Sequence, residues 1–234
     1  QTAEMIKYAN NSFLATKISF INQIARICEG IPDTNIDDVA NTIGLDPRIG
    51  NLFLNAGAGY GGSCLPKDIK AIINLSSKMG VDPILLTAVE KINKQQINNI
   101  IVLIKQNIGE IRGKKLTILG VAFKPNTDDI RNSVGIELVT RLLKSGAKIT
   151  MHDPKALENA RKIFHDNAKY VKSVPSALKD CQCAIIMTQW KDYERINNKT
   201  IKHMAKKIII DSRRILYNKN LDAKYFAIGL GQKE

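Results

Sequence analysis

Nothing in this 234-residue chain is apolar over a run long enough to cross a bilayer, and no leader with a basic start and an apolar middle is visible. A membrane role is not expected. Cysteine is scarce: Cys28, Cys64, Cys181 and Cys183 follow neither a disulfide framework nor a zinc-ligand spacing. A disulfide-stapled scaffold is excluded, no metal site is expected, and a reduced cytoplasmic protein is the default. Aromatic residues make up only 6% of the chain, with one tryptophan, and they hardly interleave with the lysines. No helix-turn-helix, zinc or RNA-binding signature appears either, so nucleic acid is not an expected partner.

Positive charge is abundant and lopsided. The formal net charge is +13; residues 1–110 hold 10 Lys+Arg against 10 Asp+Glu, whereas residues 111–234 hold 25 against 12, so the whole excess lies in the second half. Two domains are predicted, 1–110 and 111–234, each long enough to bury a core. Lys155, Lys162, Lys169, Lys172 and Lys179 are scattered, which reads as a solvated face; the functional alternatives are nucleic acid or a phosphorylated small molecule.

The first half reads as all helix. From Glu4 to about Glu29 there is no Pro or Gly, and Phe13, Leu14, Ile18, Ile21, Ile24 and Ala25 recur at helical intervals until Gly30-Ile-Pro32. Lys7 and Asn11, four residues apart, share a face of that helix, which by itself is an ordinary solvated face. The first residues already look like a helix interior, and an upstream portion is expected. A second helix runs from about Asn35 to Gly44, with Asp33 or Thr34 as its expected cap, and Leu45-Asp-Pro-Arg48 turns the chain. After Pro83 a long helix continues through Val89, Ile97 and Ile104 to Ile108.

Between these helices lies Asn55-Ala-Gly57-Ala-Gly59-Tyr60-Gly61-Gly62-Ser-Cys64-Leu-Pro66-Lys67-Asp68. Its glycines admit φ > 0 and let a ligand approach the main chain. Pro66 suits a helix start, and Gly80 a helix stop. Cys64 then sits at a helix N-terminus, where unpaired N–H groups and neighbouring Lys67 favour a thiolate. Asp68, one turn on, can act as base or orient a water. A lone cysteine is more often a small buried hydrophobe. The stretch also matches G-x-G-x-x-G, but it follows no β-branched strand and opens no strand–helix–strand unit, so a dinucleotide reading of it is rejected.

In the second half the period changes. Strands are expected at Lys115–Phe123, Lys148–His152, Ala184–Met187 and Lys207–Asp211, and helices at Val134–Ser145, Leu157–Phe164 and Pro175–Lys179. The alternation implies a mainly parallel, Rossmann-like sheet covered by helices, and an α/β chain overall. Ligands of such sheets sit at the carboxyl ends of the strands. Lys124, Arg131, Arg213 and Arg214 all fall there, where a diphosphate would be well met. The turn after the first strand is Phe-Lys-Pro, not a glycine fingerprint, so this is not an ordinary dinucleotide sheet.

Taken together, Ala3-Glu-Met-Ile-Lys7-Tyr-Ala-Asn-Asn11, Gly59-Tyr-Gly-Gly-Ser-Cys64-Leu-Pro-Lys-Asp68, Phe123-Lys-Pro-Asn-Thr-Asp-Asp-Ile-Arg131, Thr188-Gln-Trp190 and Asp211-Ser-Arg-Arg214 resemble the UDP-glucose/GDP-mannose dehydrogenase family, in the family's order and over nearly the whole chain. Ser212 stands where the family often has Gly, and Gln189 where it often has Glu. The resemblance covers the family's central and C-terminal parts and not its N-terminal NAD domain.

It implies oxidation of UDP-glucose, with GDP-mannose as the alternative substrate, to the uronate with NAD, through a thiohemiacetal and a thioester on Cys64. It further implies that Lys7 and Asn11 stabilise the oxyanion and bind substrate, and that Asp68 moves a proton or orients water. Phe53, Asn55, Gly57, Gly59, Tyr60 and Gly61 would hold the sugar nucleotide, with Lys124 and Arg214 from the second domain. Arg48 would reach the partner subunit's site in a homodimer formed through the helical domain, and Lys67 and Arg131 would reach NAD. Without a dinucleotide domain, this chain is expected to bind nucleotide sugar and to do no chemistry alone.

Overall fold

The computed structural model describes residues 1–231. They divide into two compact units: residues 1–96 together with the segment from Ile228, and Ile97–Ala227. The sequence reading places the division at 110/111; the units instead meet inside a helix, and the last described residues belong with the first unit.

The first unit opens with α1 (Thr2–Cys28), followed by α2 (Ile36–Ile43), α3 (Leu65–Lys78) and the start of α4 (Ile84–Ile108). Asn35 caps α2 by accepting from the Asp37 amide at 3.1 Å, displacing Asp33 and Thr34 from the expected role. Thr34 instead donates to the carbonyls of Cys28 and Ile31 and closes the turn after α1. Ala15, Tyr60, Ile69 and Val89 form the buried centre, with Ile18, Leu65, Ile73 and Leu86 packed around it. Each buried Ile or Leu contributes about 1.5–3 kcal/mol. The returning C-terminal segment is stitched to the α1–α2 connection. Ile36 donates to Gly229 O at 2.9 Å, Gly231 donates to Thr34 O at 2.9 Å, and the Gly229 amide donates to Glu29 at 2.9 Å.

The second unit carries β1 (Lys115–Leu119), α5 (Val134–Lys144), β2 (Lys148–His152), α6 (Leu157–Phe164), β3 (Ala168–Tyr170), α7 (Val174–Leu178), β4 (Cys183–Ile186), α8 (Asn198–Ile201), β5 (Ile208–Asp211) and β6 (Lys224–Ala227). All strand pairs are parallel, in the order β3-β2-β1-β4-β5-β6. Leu116, Ile118, Ile149, Met151, Ile185, Ile186, Ile209 and Ile210 are buried, as strands covered on both faces require. From β1 the chain winds outward to β2 and β3, then returns past both to β4 and winds the other way. The switch point therefore lies between the carboxyl ends of β1 and β4.

Candidate functional site

In the first unit, α1 and α3 pack together and bring three predicted residues into contact. Asp68 is 2% exposed. Its carboxylate accepts from Asn11 Nδ2 at 2.6 Å, and Lys7 Nζ lies 3.5 and 3.4 Å from its two oxygens. Lys7 itself remains largely in solvent, which screens the pair; the Asn11 bond to a buried charge is the stronger restraint, at about 1.5–3 kcal/mol. Cys64 occupies the N-cap position of α3, and its carbonyl accepts the Asp68 amide at 2.9 Å, so thiol and carboxylate are one turn apart. The thiol is exposed, with Ser63 Oγ at 3.7 Å, whereas the other three cysteines are buried. One exposed nucleophile thus stands beside a buried carboxylate that holds a cation and an amide donor.

The glycine stretch is held from two helices. Asn22 on α1 accepts the Gly57 amide at 2.8 Å. Asn93 on α4 accepts the Tyr60 amide at 2.8 Å and donates to the Tyr60 carbonyl at 3.0 Å, replacing a strand partner with one side chain. Gly59, at φ +94°, has no room for a side chain, since a Cβ would stand 2.4 Å from Asn93 Oδ1. The Tyr60 ring is buried. Burial and the charge of Glu90 push its phenol well above the usual range, and its hydroxyl has no hydrogen-bond partner among the described residues. Phe53 (φ +66°) and Asn55 are exposed, Gly57 is buried and Gly61 is half-buried. Arg48 is exposed and gripped by Asp46 through Nε at 3.0 Å and a terminal nitrogen at 2.6 Å, which lowers the carboxyl's pKa and raises that of the guanidinium. Lys67 is exposed.

In the second unit the four cations at the carboxyl rim are not equivalent. Lys124 is exposed, 5.4 Å over the Phe123 ring. Arg131 forms a two-pronged pair with Asp129 at 3.0 and 2.7 Å. Arg213 is turned inward: Nε donates to Met187 O at 2.8 Å, and burial pushes its pKa down to about 10. Arg214, at φ +60°, stacks 4.8 Å over Tyr217. Buried Asp211 shapes that turn by accepting from the amides of Arg213 and Leu216 and from the Tyr225 hydroxyl; burial still raises its pKa. After β2, buried Asp153 accepts from the amides of Val121 and Ala122 at 2.8 and 2.9 Å.

Asn22, Asn93 and Asp153 were not singled out by sequence. Each has partners in another segment, and the one local signal was the position of Asp153 directly after β2. Among the described residues, no group of three or more His, Cys, Asp or Glu could hold a metal ion, and no helix is long and apolar enough to cross a membrane.

Beyond β1 the loop is not laid out for a dinucleotide pyrophosphate. The two amides beyond β1 that would face a phosphate are taken by Asp153. The N-terminus of α5 is closed by Ser133, which accepts from Gly135 N at 3.2 Å and donates to Val121 O at 2.6 Å.

The profile of the UDP-glucose/GDP-mannose dehydrogenase family, central domain, matches residues 1–95, and that of the family's UDP binding domain matches residues 117–218. The chain is 44% identical to the UDP-glucose 6-dehydrogenase of Rickettsia felis over 234 residues, covering 97% of this chain and 52% of that protein. It is 38% identical to UDP-glucose 6-dehydrogenase TuaD of Bacillus subtilis over 233 residues, covering 98% of this chain and 50% of that protein. A solved UDP-glucose dehydrogenase from Pyrobaculum islandicum superposes with a TM-score of 0.90 at 35% identity, covering 98% of this chain and 51% of that one. The chain spans about half the length of the curated relatives it matches. With both of its units matched, the chain belongs to the UDP-glucose/GDP-mannose dehydrogenase family.

Proposed function

We propose that this chain is the cysteine-bearing and nucleotide-binding portion of an NAD-dependent UDP-glucose 6-dehydrogenase, which oxidises the primary alcohol of UDP-glucose to the carboxylate of UDP-glucuronate. The observation that carries the reading is the exposed Cys64 thiol one helical turn from buried Asp68, which Asn11 and Lys7 contact. Names of relatives and the UDP binding domain match support the substrate class.

When bound, NAD accepts the hydride of each oxidation. Lys67 and Arg131 are assigned to contact with it. At the aldehyde level Cys64, as thiolate, adds to the carbonyl carbon, and the resulting oxyanion is met by the cation of Lys7 and the amide N–H of Asn11. After the second oxidation the thioester carbon is attacked by water. Asp68 orients that water and takes its proton, and cleavage of the C–S bond returns the thiolate. In the second unit the nucleotide diphosphate is assigned to the carboxyl rim at the switch point, with Lys124 and Arg214 as its cationic contacts. In the first unit Phe53, Asn55 and the glycine stretch are assigned to substrate.

A homodimer through the helical unit is part of the same reading. Ile6, Phe13, Phe20 and Ile27 recur every seventh residue on α1 and are 48–65% exposed, forming an apolar stripe suited to a second copy. Arg48 is assigned to the partner's site.

Calorimetric titration of the chain with UDP-glucose, GDP-mannose and a short DNA duplex tests the substrate. Saturable binding of UDP-glucose, weakened in Lys124→Ala, is expected. Preference for GDP-mannose would move the assignment to the sister activity, and binding of DNA alone, falling steeply with salt, would contradict the enzyme reading.

A further inference from the structure

We infer that Asp153 is a positioning residue for nucleotide-sugar binding: its carboxylate ties together the two loops that flank the switch-point crevice of the parallel sheet. The inference rests on the reading that this crevice takes the UDP-sugar.

The division of labour between the two carboxylate oxygens carries the argument. Oδ1 serves the residue's own turn, accepting from Lys155 N at 2.9 Å and Ala156 N at 2.8 Å. Oδ2 reaches out of that turn. It accepts from Val121 N at 2.8 Å and Ala122 N at 2.9 Å in the loop after β1, and from Trp190 Nε1 at 3.2 Å in the loop after β4. A residue needed only to shape its own turn would use the first pair of bonds. The other three join the loops on the two sides of the crevice, 31 to 37 residues away in sequence.

The joint is buried, with Asp153 at 3% exposure and Trp190 at 4%, so water cannot replace a lost bond cheaply. Below it the loop bases already touch. Thr188 donates to Ala122 O at 2.7 Å, and a Cβ on Gly120 would stand 2.7 Å from the Thr188 amide. The β4 loop is fastened onward to the β5 loop, since Gln189 donates to Arg213 O at 3.3 Å and Arg213 to Met187 O at 2.8 Å. Asp153 thus fixes the frame from which Lys124, two residues beyond Ala122, projects. A frame set before the ligand arrives reduces the ordering cost of binding.

Asp153→Asn tests this, because an amide must point its NH2 at one of the two donor sets. The chain's one tryptophan is Trp190, so its emission reports the joint directly. UDP-glucose affinity by calorimetry, Trp190 emission and melting temperature are compared in wild type, Asp153→Asn and Leu142→Ala, the last a core change in α5. Asp153→Asn is expected to bind UDP-glucose about tenfold more weakly and to emit at longer wavelength. Leu142→Ala is expected to lower only the melting temperature.

If Asp153→Asn does not fold, Trp190→Phe, which removes the indole donor and keeps a smaller aromatic ring, decides by calorimetry, with about threefold weaker binding expected. Unchanged affinity in the deciding variant, or an equal loss in Leu142→Ala, overturns the positioning role and leaves the proposed function standing. Absence of UDP-glucose binding by the wild-type chain overturns both.

Discussion

At the scale of single residues, Asp68 is the group whose surroundings matter most. It is buried, charged groups resist burial, and Asn11 is its shortest partner. Asn11→Leu leaves that carboxylate with Lys7 alone and is expected to destabilise the chain by about 2 kcal/mol, read as a lower urea midpoint with an unchanged slope. Cys64 is the exposed thiol, while burial raises the pKa of Cys181 to about 11 and that of Cys183 further. Iodoacetamide near neutral pH is therefore expected to alkylate Cys64 first, as peptide mapping by mass spectrometry would show; equal labelling of Cys181 would contradict the burial.

His152 supplies a pH dependence. Burial lowers its pKa from 6.5, and its Nδ1 lies 3.1 Å from the Tyr193 hydroxyl. Below pH 6.5 the unfolded chain takes up a proton that the folded one resists, so stability present above that value is lost as the pH falls. The melting temperature is expected to drop between pH 7 and pH 5, with a shallower slope in His152→Gln.

The residue scale was legible where chemistry is local in sequence. The pattern from Gly59 to Asp68 marks thiol and carboxylate, whereas Lys7 and Asn11 read from spacing alone as an ordinary solvated face and stood out only through the family resemblance. Asn93 and Asp153 were not legible, because an asparagine on a polar helix face and an aspartate at a turn look ordinary until their distant amide partners are seen.

Among elements, β2, β4 and β5 were read to within one residue, but β1 ends at Leu119 rather than at the expected Phe123, because Gly120 turns the chain at φ +94° and residues 120–123 form the loop beyond it. β3 and β6 were missed: Ala-Lys-Tyr and Lys-Tyr-Phe-Ala are edge strands of three and four residues, too short to show a period. The long helices matched expectation within two residues at their ends, since Gly and Pro bound them. Glycines carry the tightest constraints at this scale. Gly59→Ala would combine a φ of +94° with a 2.4 Å approach to Asn93 Oδ1, and Gly120→Ala the same φ with the backbone of Thr188 at 2.7 Å. Asn93 can rotate away and the Thr188 amide cannot. Gly120→Ala is therefore expected to lose more stability, about 3 kcal/mol against about 1.5, in paired thermal melts.

For the molecule as a whole, the charge asymmetry pointed to two units. The sequence could not place their division inside α4 or return the segment from Ile228 to the first, because both depend on long-range packing. The apolar stripe on α1 predicts assembly. Phe13→Glu with Phe20→Glu is expected to convert a dimer to a monomer by light scattering while helix content is kept; a wild-type monomer would contradict the dimer.

Covalent catalysis at Cys64 is tested most directly in the complete NAD-dependent enzyme of which this chain is the proposed portion. That protein, carrying Asp68→Asn to slow hydrolysis, would be mixed with UDP-glucose and NAD, quenched in acid and mapped by mass spectrometry. A UDP-glucuronyl adduct on the Cys64 peptide, absent when Cys64→Ser is added, is the predicted result. Formation of UDP-glucuronate by a Cys64→Ser enzyme at an undiminished rate would contradict it.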